Sequence, residues 1–249
     1  VTISTAKNIN TQTIVSNRSY ADGITYRITA PADSASSVTR YSSSDILTNG
    51  LTANDEVLLI NLQGASGDVA DVGNYEFMRV KNLTASTITF TTAITKSFDG
   101  TSASNQKIII QRVPNYTDVT FTGSGSLTAS AWEALATTPT GAAGYYTGIV
   151  AFRATGTVTV GSGTNITVSG LGYQGGSGGA SGANGGNNGE SYDGSNGRGG
   201  SGASHGESNG GGKSGNGSLS SPNNGAIRGG GGGGGSDGSA ADGNDGAGG

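Results

Sequence analysis

The stretch that decides the fold is Glu56–Leu62, EVLLINL, which Gln63 and Gly64 follow directly. A short apolar run closed by a turn residue predicts a buried β-strand. Two further runs, YEFMRV at 75–80 and TITFTT at 87–92, flank a short turn and predict a β-hairpin. The middle of the chain is therefore predicted to be β-structure.

The same pattern extends outward in both directions. Strands are predicted for ITYRIT at 24–29 and for KIIIQRV at 107–113, which Pro114 ends. Three short β runs within 149–169 recur about every eight residues, as in a meander or one rung of a solenoid. The segment SAWEALA at 130–136 predicts the one helical turn of this region, with Ser130 as its N-cap and Trp132 in the core.

These elements predict an all-β protein, because no strand–helix–strand unit occurs. We favour a β-sandwich or jelly-roll-like head, since strand and loop lengths vary too much for even rungs, and a β-solenoid is the alternative. The head covers 16–169. An extended N-terminal segment, 1–15, precedes it and a glycine-rich segment, 170–249, follows it.

The N-terminal segment has apolar residues at mostly even spacing, which places them on one face of an extended strand. We expect this segment to add itself as a strand to the open sheet edge of a neighbouring subunit. The assembly residues of that prediction are Val1, Ile3, Ile9 and Val15.

Glycine dominates the final segment and follows a period of three. Of the 80 residues 170–249, 34 are glycine, and ten of the fourteen positions spaced by three from 176 to 215 are glycine. Three residues per turn is the period of the extended polyglycine II helix. Pro222 is the single proline of this segment, which argues against collagen. A flexible tail is the other interpretation.

We favour a bundle of polyglycine II helices, because close contact between backbones requires hydrogen in place of a side chain. Backbone hydrogen bonds to several neighbours would then offset the entropy lost by ordering glycine. The predicted lattice contacts are Gly176, Gly179, Gly182, Gly185, Gly194, Gly197 and Gly200. Tyr173 and Tyr192 flank the lattice and are predicted as surface-binding residues, with local packing as the favoured alternative.

Composition excludes several classes of function. The 249 residues carry 13 basic and 17 acidic side chains, without a basic stripe, so we expect neither nucleic-acid binding nor membrane insertion. Abundant threonine, serine and asparagine indicate an extracellular, cell-surface or virion protein.

Catalytic constellations are not evident. There is no cysteine, the single histidine is His205, and Glu56, Glu76 and Glu133 lie on different predicted elements. We therefore expect a protein that is not an enzyme and has no cofactor. The alternative is Ca²⁺ bound by loop aspartates; these are Asp68, Asp71, Asp99, Asp237, Asp242 and Asp245.

The order of blocks EVLLINLQG, NYEFMRV, TITFTTAITKSF, QKIIIQRVPNYTDVTF, GIVAFRATGTVTV and ITVSGLGYQGGSGG, within 55–180, resembles glycine-rich bacterial surface or extracellular β-proteins. In composition, the final segment resembles the polyglycine II domain of phage tail-fibre adhesins. The resemblance implies an exported or virion structural role and assigns no catalytic residue.

Two functions follow as hypotheses. The first is a structural subunit of an extracellular filament, fibre or sheath, which self-associates into a homo-oligomer through β-strand and backbone hydrogen-bond contacts. The second is a receptor-binding adhesin, which presents loops on a polyglycine II scaffold to a cell-surface glycan or protein.

Overall fold

A computed structural model describes residues 1–15, 18–41, 50–65, 67–133, 147–173, 189–192 and 194–196. These residues form sixteen strands and one short 3-10 helix, Ala103–Asn105. The strands are β1 (Thr2–Ile3), β2 (Ala6–Asn8), β3 (Thr25–Ile28), β4 (Ser37–Thr39), β5 (Glu56–Gln63), β6 (Tyr75–Leu83), β7 (Thr87–Phe90), β8 (Lys107–Arg112), β9 (Asn115–Tyr116), β10 (Val119–Phe121), β11 (Ser126–Thr128), β12 (Arg153–Ala154), β13 (Val158–Val160), β14 (Asn165–Ile166), β15 (Gly189–Ser191) and β16 (Gly194–Asn196).

The middle of the chain forms a six-stranded antiparallel sheet in the order β3-β8-β5-β6-β7-β4. The sheet curls until its two end strands meet, where Thr29 N donates to Thr39 O at 2.9 Å and residues 28 and 40 form a bridge. Alternate side chains of each strand point into the curl. They form a buried core that includes Val57, Leu59, Met78, Val80, Ile108 and Ile110.

The two ends of the described head meet in a second unit, which we call the strand stack. Its strands are parallel, in the orders β1-β10-β13, β2-β11-β14 and β9-β12. β1 and β2 form the first rung, β9 to β11 the second, and β12 to β14 the third. The antiparallel sheet is inserted between the first and second rungs, so Val1 donates from its amino group to Asp118 O across 117 residues of sequence.

Each rung of the stack repeats a short pattern of valine, threonine and an apolar residue. The register pairs Thr2 with Thr120 and Thr120 with Thr159, so the threonines form one column and the flanking apolar residues form the inner columns. A second core lies between the inner columns and consists of Ile3, Ile9, Tyr116, Val119, Phe121, Leu127 and Ala129. Parallel strands require long connections, and here the inserted sheet supplies one.

The all-β prediction is confirmed: EVLLINL, YEFMRV and KIIIQR lie in strands, as do residues 87–90 of TITFTT. The curled sheet closes on itself instead of facing a second sheet, and the stack has the parallel arrangement of the solenoid alternative. The short β runs of 149–169 form its third rung. Residues 130–133 are not helical, and 134–136 lie outside the described residues.

The N-terminal segment pairs within its own chain, where β1 and β2 lie against β10 and β11. Val1, Ile3, Ile9 and Val15 therefore belong to the second core and do not line a free strand face. Donation of this segment to another subunit stays a prediction.

The predicted lattice falls almost wholly outside the described residues, which include one of its seven glycines. Gly194 lies in β16, where it pairs with Ser191 of the antiparallel strand β15. This hairpin is not a polyglycine II arrangement.

Candidate functional surfaces

Within the described part of the chain, the inner columns of the stack become exposed at the third rung. In register, Val119 of the second rung lies against Val158, and Phe121 lies against Val160. Val119 and Phe121 are buried, whereas Val158 is 41% and Val160 is 50% exposed. We call this surface the open end; it consists of Val158, Val160, Ile166 and Val168.

The opposite end of the stack is covered. Ile3, the first-rung residue in the column of Phe121 and Val160, is fully buried, as is Ile9. Ile14 and Val15 pack against the same cluster. The two ends of the stack thus differ in the burial of their inner residues, although in the described residues β1, β2, β13 and β14 each have a strand on one side only.

A second exposed surface lies on the outer face of β6. Tyr75 is 48% and Phe77 is 45% exposed, and their rings meet edge to face with centroids 6.0 Å apart. The Lys96 Nζ lies 4.8 Å from the Tyr75 ring centroid, and the Arg153 guanidinium lies 4.6 Å from that of Phe77. We call these four residues the aromatic–cationic surface. It joins the antiparallel sheet to the third rung, because Arg153 belongs to β12.

Hydrogen bonds fix the position of Arg153. Its Nε donates to both carboxylate oxygens of Glu56, at 2.7 and 2.8 Å. Glu76 faces the other side of the sheet, since it pairs with Leu59 of the core. Its carboxylate accepts from the backbone N–H groups of Thr95 and Lys96. Glu56 and Glu76 therefore do not form the facing carboxylate pair that glycoside hydrolysis requires.

Three of the aspartates considered for Ca²⁺, namely Asp68, Asp71 and Asp99, hold a loop together, whereas Asp237, Asp242 and Asp245 lie outside the described residues. Asp68 is buried, and its carboxylate accepts from the backbone N–H of Thr101 at 2.8 Å and of Ser102 at 3.0 Å. The bond from Thr101, with the other donors, lowers the pKa of Asp68 to about 2. Asp71 accepts from Gly100 N at 2.8 Å. The described residues contain no group of three His, Cys, Asp or Glu side chains suited to a metal.

A buried polar network joins the antiparallel sheet to the stack. The Tyr116 hydroxyl donates to Asp22 Oδ2 at 2.6 Å, and burial, followed by this bond, raises the pKa of Tyr116. Arg112 Nη1 donates to Asp22 O at 2.9 Å, and Arg112 Nε donates to Asp55 at 3.0 Å. Arg18 also pairs with Asp55, at 2.9 Å. The polar side chains that line the small pocket beside this network already have hydrogen-bond partners, so we assign the pocket a structural role.

Tyr173 and Tyr192 pack locally instead of forming an open binding surface. Tyr173 is buried, its ring meets Trp132 edge to face at 5.0 Å, and its hydroxyl donates to Leu62 O. Tyr192 packs against the same cluster, and its carbonyl accepts from Gly64 N at 2.7 Å. Tyr173 therefore shows the local packing that was the favoured interpretation, surface binding by Tyr192 stays a prediction, and Trp132 is in the core as predicted.

Both exposed surfaces were missed from the sequence alone. The alternation in YEFMRV places Tyr75 and Phe77 on one face, which was a usable signal for the second surface. No local sequence pattern indicated that Arg153 would lie beside Phe77, because this contact depends on how the third rung packs beside the sheet. The part of the chain with a described fold contains no helix long and apolar enough to span a membrane.

Comparison with known proteins identifies no family: no family model matches the chain, and no curated protein matches it. Among solved structures, the tailspike protein gp49 from Pseudomonas phage LKA1 matches 44% of this chain and 21% of its own, with 13% identity and a TM-score of 0.27. The Gp54 tailspike of Acinetobacter baumannii bacteriophage AP22, solved in complex with A. baumannii capsular saccharide, matches 59% of this chain and 23% of its own, with 16% identity and a TM-score of 0.26. The chain thus spans less than a quarter of either tailspike, and a likeness this weak carries no functional conclusion.

Proposed function

We propose that the protein is a non-catalytic structural subunit of an extracellular or virion fibre. It assembles when a neighbouring subunit adds a strand to the open end. The observation that supports this proposal is the half-exposed inner column of the third rung, Val158 and Val160, above a second rung that is buried. Large exposed apolar patches on soluble proteins commonly mark contact surfaces.

The size of the open end suits a weak contact that repeats. Covering four aliphatic side chains that are 40–50% exposed contributes about 1 kcal/mol each. Backbone hydrogen bonds along β13 and β14 add about 1 kcal/mol net apiece. Association itself costs several kcal/mol. A single contact is then weak, and assembly is favoured where subunits are concentrated or where the glycine-rich segment adds backbone contacts.

The test is a Val160→Lys substitution in the full chain, with Thr159→Lys as matched control. Val160 lies in the inner column and Thr159 in the outer threonine column of the same strand. A lysine at 160 would place an unpaired charge inside the contact. We expect Val160→Lys to remain dispersed at concentrations where wild type and Thr159→Lys form larger particles, as followed by sedimentation velocity and negative-stain microscopy. A wild-type protein that stays monomeric, or two variants that assemble alike, would refute the proposal.

A receptor-binding adhesin is the second candidate, and the aromatic–cationic surface favours it. This surface places two half-exposed aromatic rings between two cations, and aromatic and arginine side chains are enriched at binding interfaces. Long uniform filaments in the microscope favour the structural subunit, whereas discrete particles favour the adhesin. In both roles the protein works outside the cell and needs neither a cofactor nor a nucleic acid.

A further inference from the structure

We propose that the aromatic–cationic surface binds an acidic polysaccharide, with a sugar carboxylate on Arg153 and the sugar rings against Tyr75 and Phe77. The inference rests on the adhesin candidate and deepens it by naming a site and a ligand class. It needs only the folded chain, so it does not depend on fibre assembly.

Arg153 is oriented before any ligand arrives. Its Nε bonds to Glu56 hold the guanidinium plane, while the side chain stays 47% exposed. Among the described residues, its two Nη groups make no hydrogen bond, so they present the paired donors that fit a carboxylate. Holding the guanidinium in place before binding lowers the entropy lost on binding.

Lys96 supplies a second cation on the other side of the rings. Its backbone N–H donates to Glu76 at 2.5 Å, and its Nζ makes no hydrogen bond within the described part of the chain. The Nζ lies above Tyr75, at a cation–π distance. Arg153 and Lys96 thus flank the two exposed rings.

Charge on this face favours an anion although the whole protein has a net charge of −4. Alternation along β6 places Arg79 on the same face as Tyr75 and Phe77, and Lys81, which lies where the register of β6 shifts, is exposed as well. Of the nearby carboxylates, Glu56 pairs with Arg153, and Glu76 lies on the other face of the sheet, where it accepts from backbone N–H groups. The excess of cations complements a polyanion.

The two rings discriminate among polyanions. Tyr75 and Phe77 offer apolar area beside the cations, and the C–H faces of a sugar ring pack on such area. A peptide polyanion of glutamate has no ring to place there. We therefore infer an acidic sugar polymer, with carboxylates spaced along a chain of rings.

The experiment measures binding of polygalacturonic acid to the full chain by isothermal titration calorimetry at low ionic strength. Dextran serves as the uncharged sugar polymer and polyglutamate as the polyanion without rings. We expect polygalacturonic acid to bind at least about tenfold more tightly than polyglutamate, and dextran to show no measurable binding. Added salt should weaken the interaction.

Substitutions test whether polygalacturonic acid binds to the aromatic–cationic surface. Arg153→Gln and Phe77→Ala should each weaken polygalacturonic acid binding about tenfold. The affinity of Arg153→Lys should lie between those of wild type and Arg153→Gln. Lys7→Gln, on β2 outside this surface, is the matched control for the loss of one charge and should leave affinity unchanged. All these residues are at least partly exposed, and circular dichroism checks the fold of each variant.

Three results would overturn the inference. They are no binding of polygalacturonic acid at low salt, equal affinity for polyglutamate and polygalacturonic acid, and unchanged affinity in folded Arg153→Gln and Phe77→Ala. Repeating the titration in the Val160→Lys background separates this inference from fibre assembly, because that variant leaves the aromatic–cationic surface intact.

Discussion

A Gly125→Ala substitution tests whether the first rung is stacked on the second. A Cβ atom at Gly125 would lie 2.0 Å from Ile3 O and 2.9 Å from both the Ile3 carbonyl carbon and Thr122 O. All three are backbone atoms, so no side-chain rotation relieves the contact. Ile3 O is also the acceptor for Thr122 N at 3.0 Å. The variant must therefore move β1 away from β10.

The magnitude follows from what β1 contributes. Two backbone hydrogen bonds, from Thr120 N to Val1 O and from Thr122 N to Ile3 O, contribute about 1 kcal/mol each. Full burial of Ile3 contributes about 2–3 kcal/mol. Alanine also lowers the entropy of the unfolded chain, which stabilises the folded state by about 0.5–1 kcal/mol and offsets part of this loss. We expect Gly125→Ala to lower the free energy of unfolding by about 3 kcal/mol, with about 4 kcal/mol corresponding to complete loss of β1.

The assay is urea unfolding followed by circular dichroism, with Gly163→Ala as control. Gly163 has a φ of +78°, and a Cβ atom there would have no heavy atom within 4 Å, so alanine meets backbone strain alone, about 1–2 kcal/mol. Gly125→Ala should lower the free energy of unfolding by more than Gly163→Ala does. It should also speed amide exchange at Thr120 and Thr122. A loss below about 1 kcal/mol in Gly125→Ala, or one no larger than in Gly163→Ala, would show that β1 does not pack on β10.

Two further predictions concern the loop around Asp68. Because its folded pKa of about 2 lies below the ordinary value of about 3.9, the carboxylate stabilises the fold fully above that ordinary value, and this contribution is lost as pH falls toward 2. Asp68→Asn should therefore flatten the pH dependence of unfolding between about pH 5 and 2, and an unchanged slope would contradict the prediction. Because hydrogen bonds already engage Asp68 and Asp71, the Tm should agree within about 1 °C in calcium and in EDTA; a rise of several degrees with calcium would indicate a bound ion.

The antiparallel sheet was predictable because its signals are local. EVLLINL and KIIIQR are short apolar runs, and the turn predicted at 81–86, of which 81–83 extend β6, separates two alternating runs. Each strand could be assigned from a window of a few residues. The closure of the sheet was not predictable in this way, because it depends on β3 and β4 meeting through contacts distant in sequence.

The strand stack was harder to predict because its strands are two or three residues long and lie far apart in the chain. Such short strands give no periodicity of their own. A signal did exist in the repeated triplets VTI at 1–3, VTF at 119–121 and VTV at 158–160. Finding it requires a search for repeats across the inserted sheet. The position of Arg153 beside Phe77 had no such signal.

The sequence of the β13–β14 edge favours an open end that a neighbouring subunit covers. Exposed sheet edges in soluble proteins are commonly protected by lysine, proline or a bulge, which prevent pairing with other chains. Residues 157–169, TVTVGSGTNITVS, contain no charged residue and no proline. The β1–β2 edge of the first rung differs from this β13–β14 edge, since it carries Lys7 and its inner residues Ile3 and Ile9 are buried. An unprotected edge beside a half-exposed valine column exposes a free monomer to unwanted pairing with other chains. In a subunit that receives a strand, the same edge is the contact surface. This contrast between the two ends favours assembly in one direction, from the third rung outward.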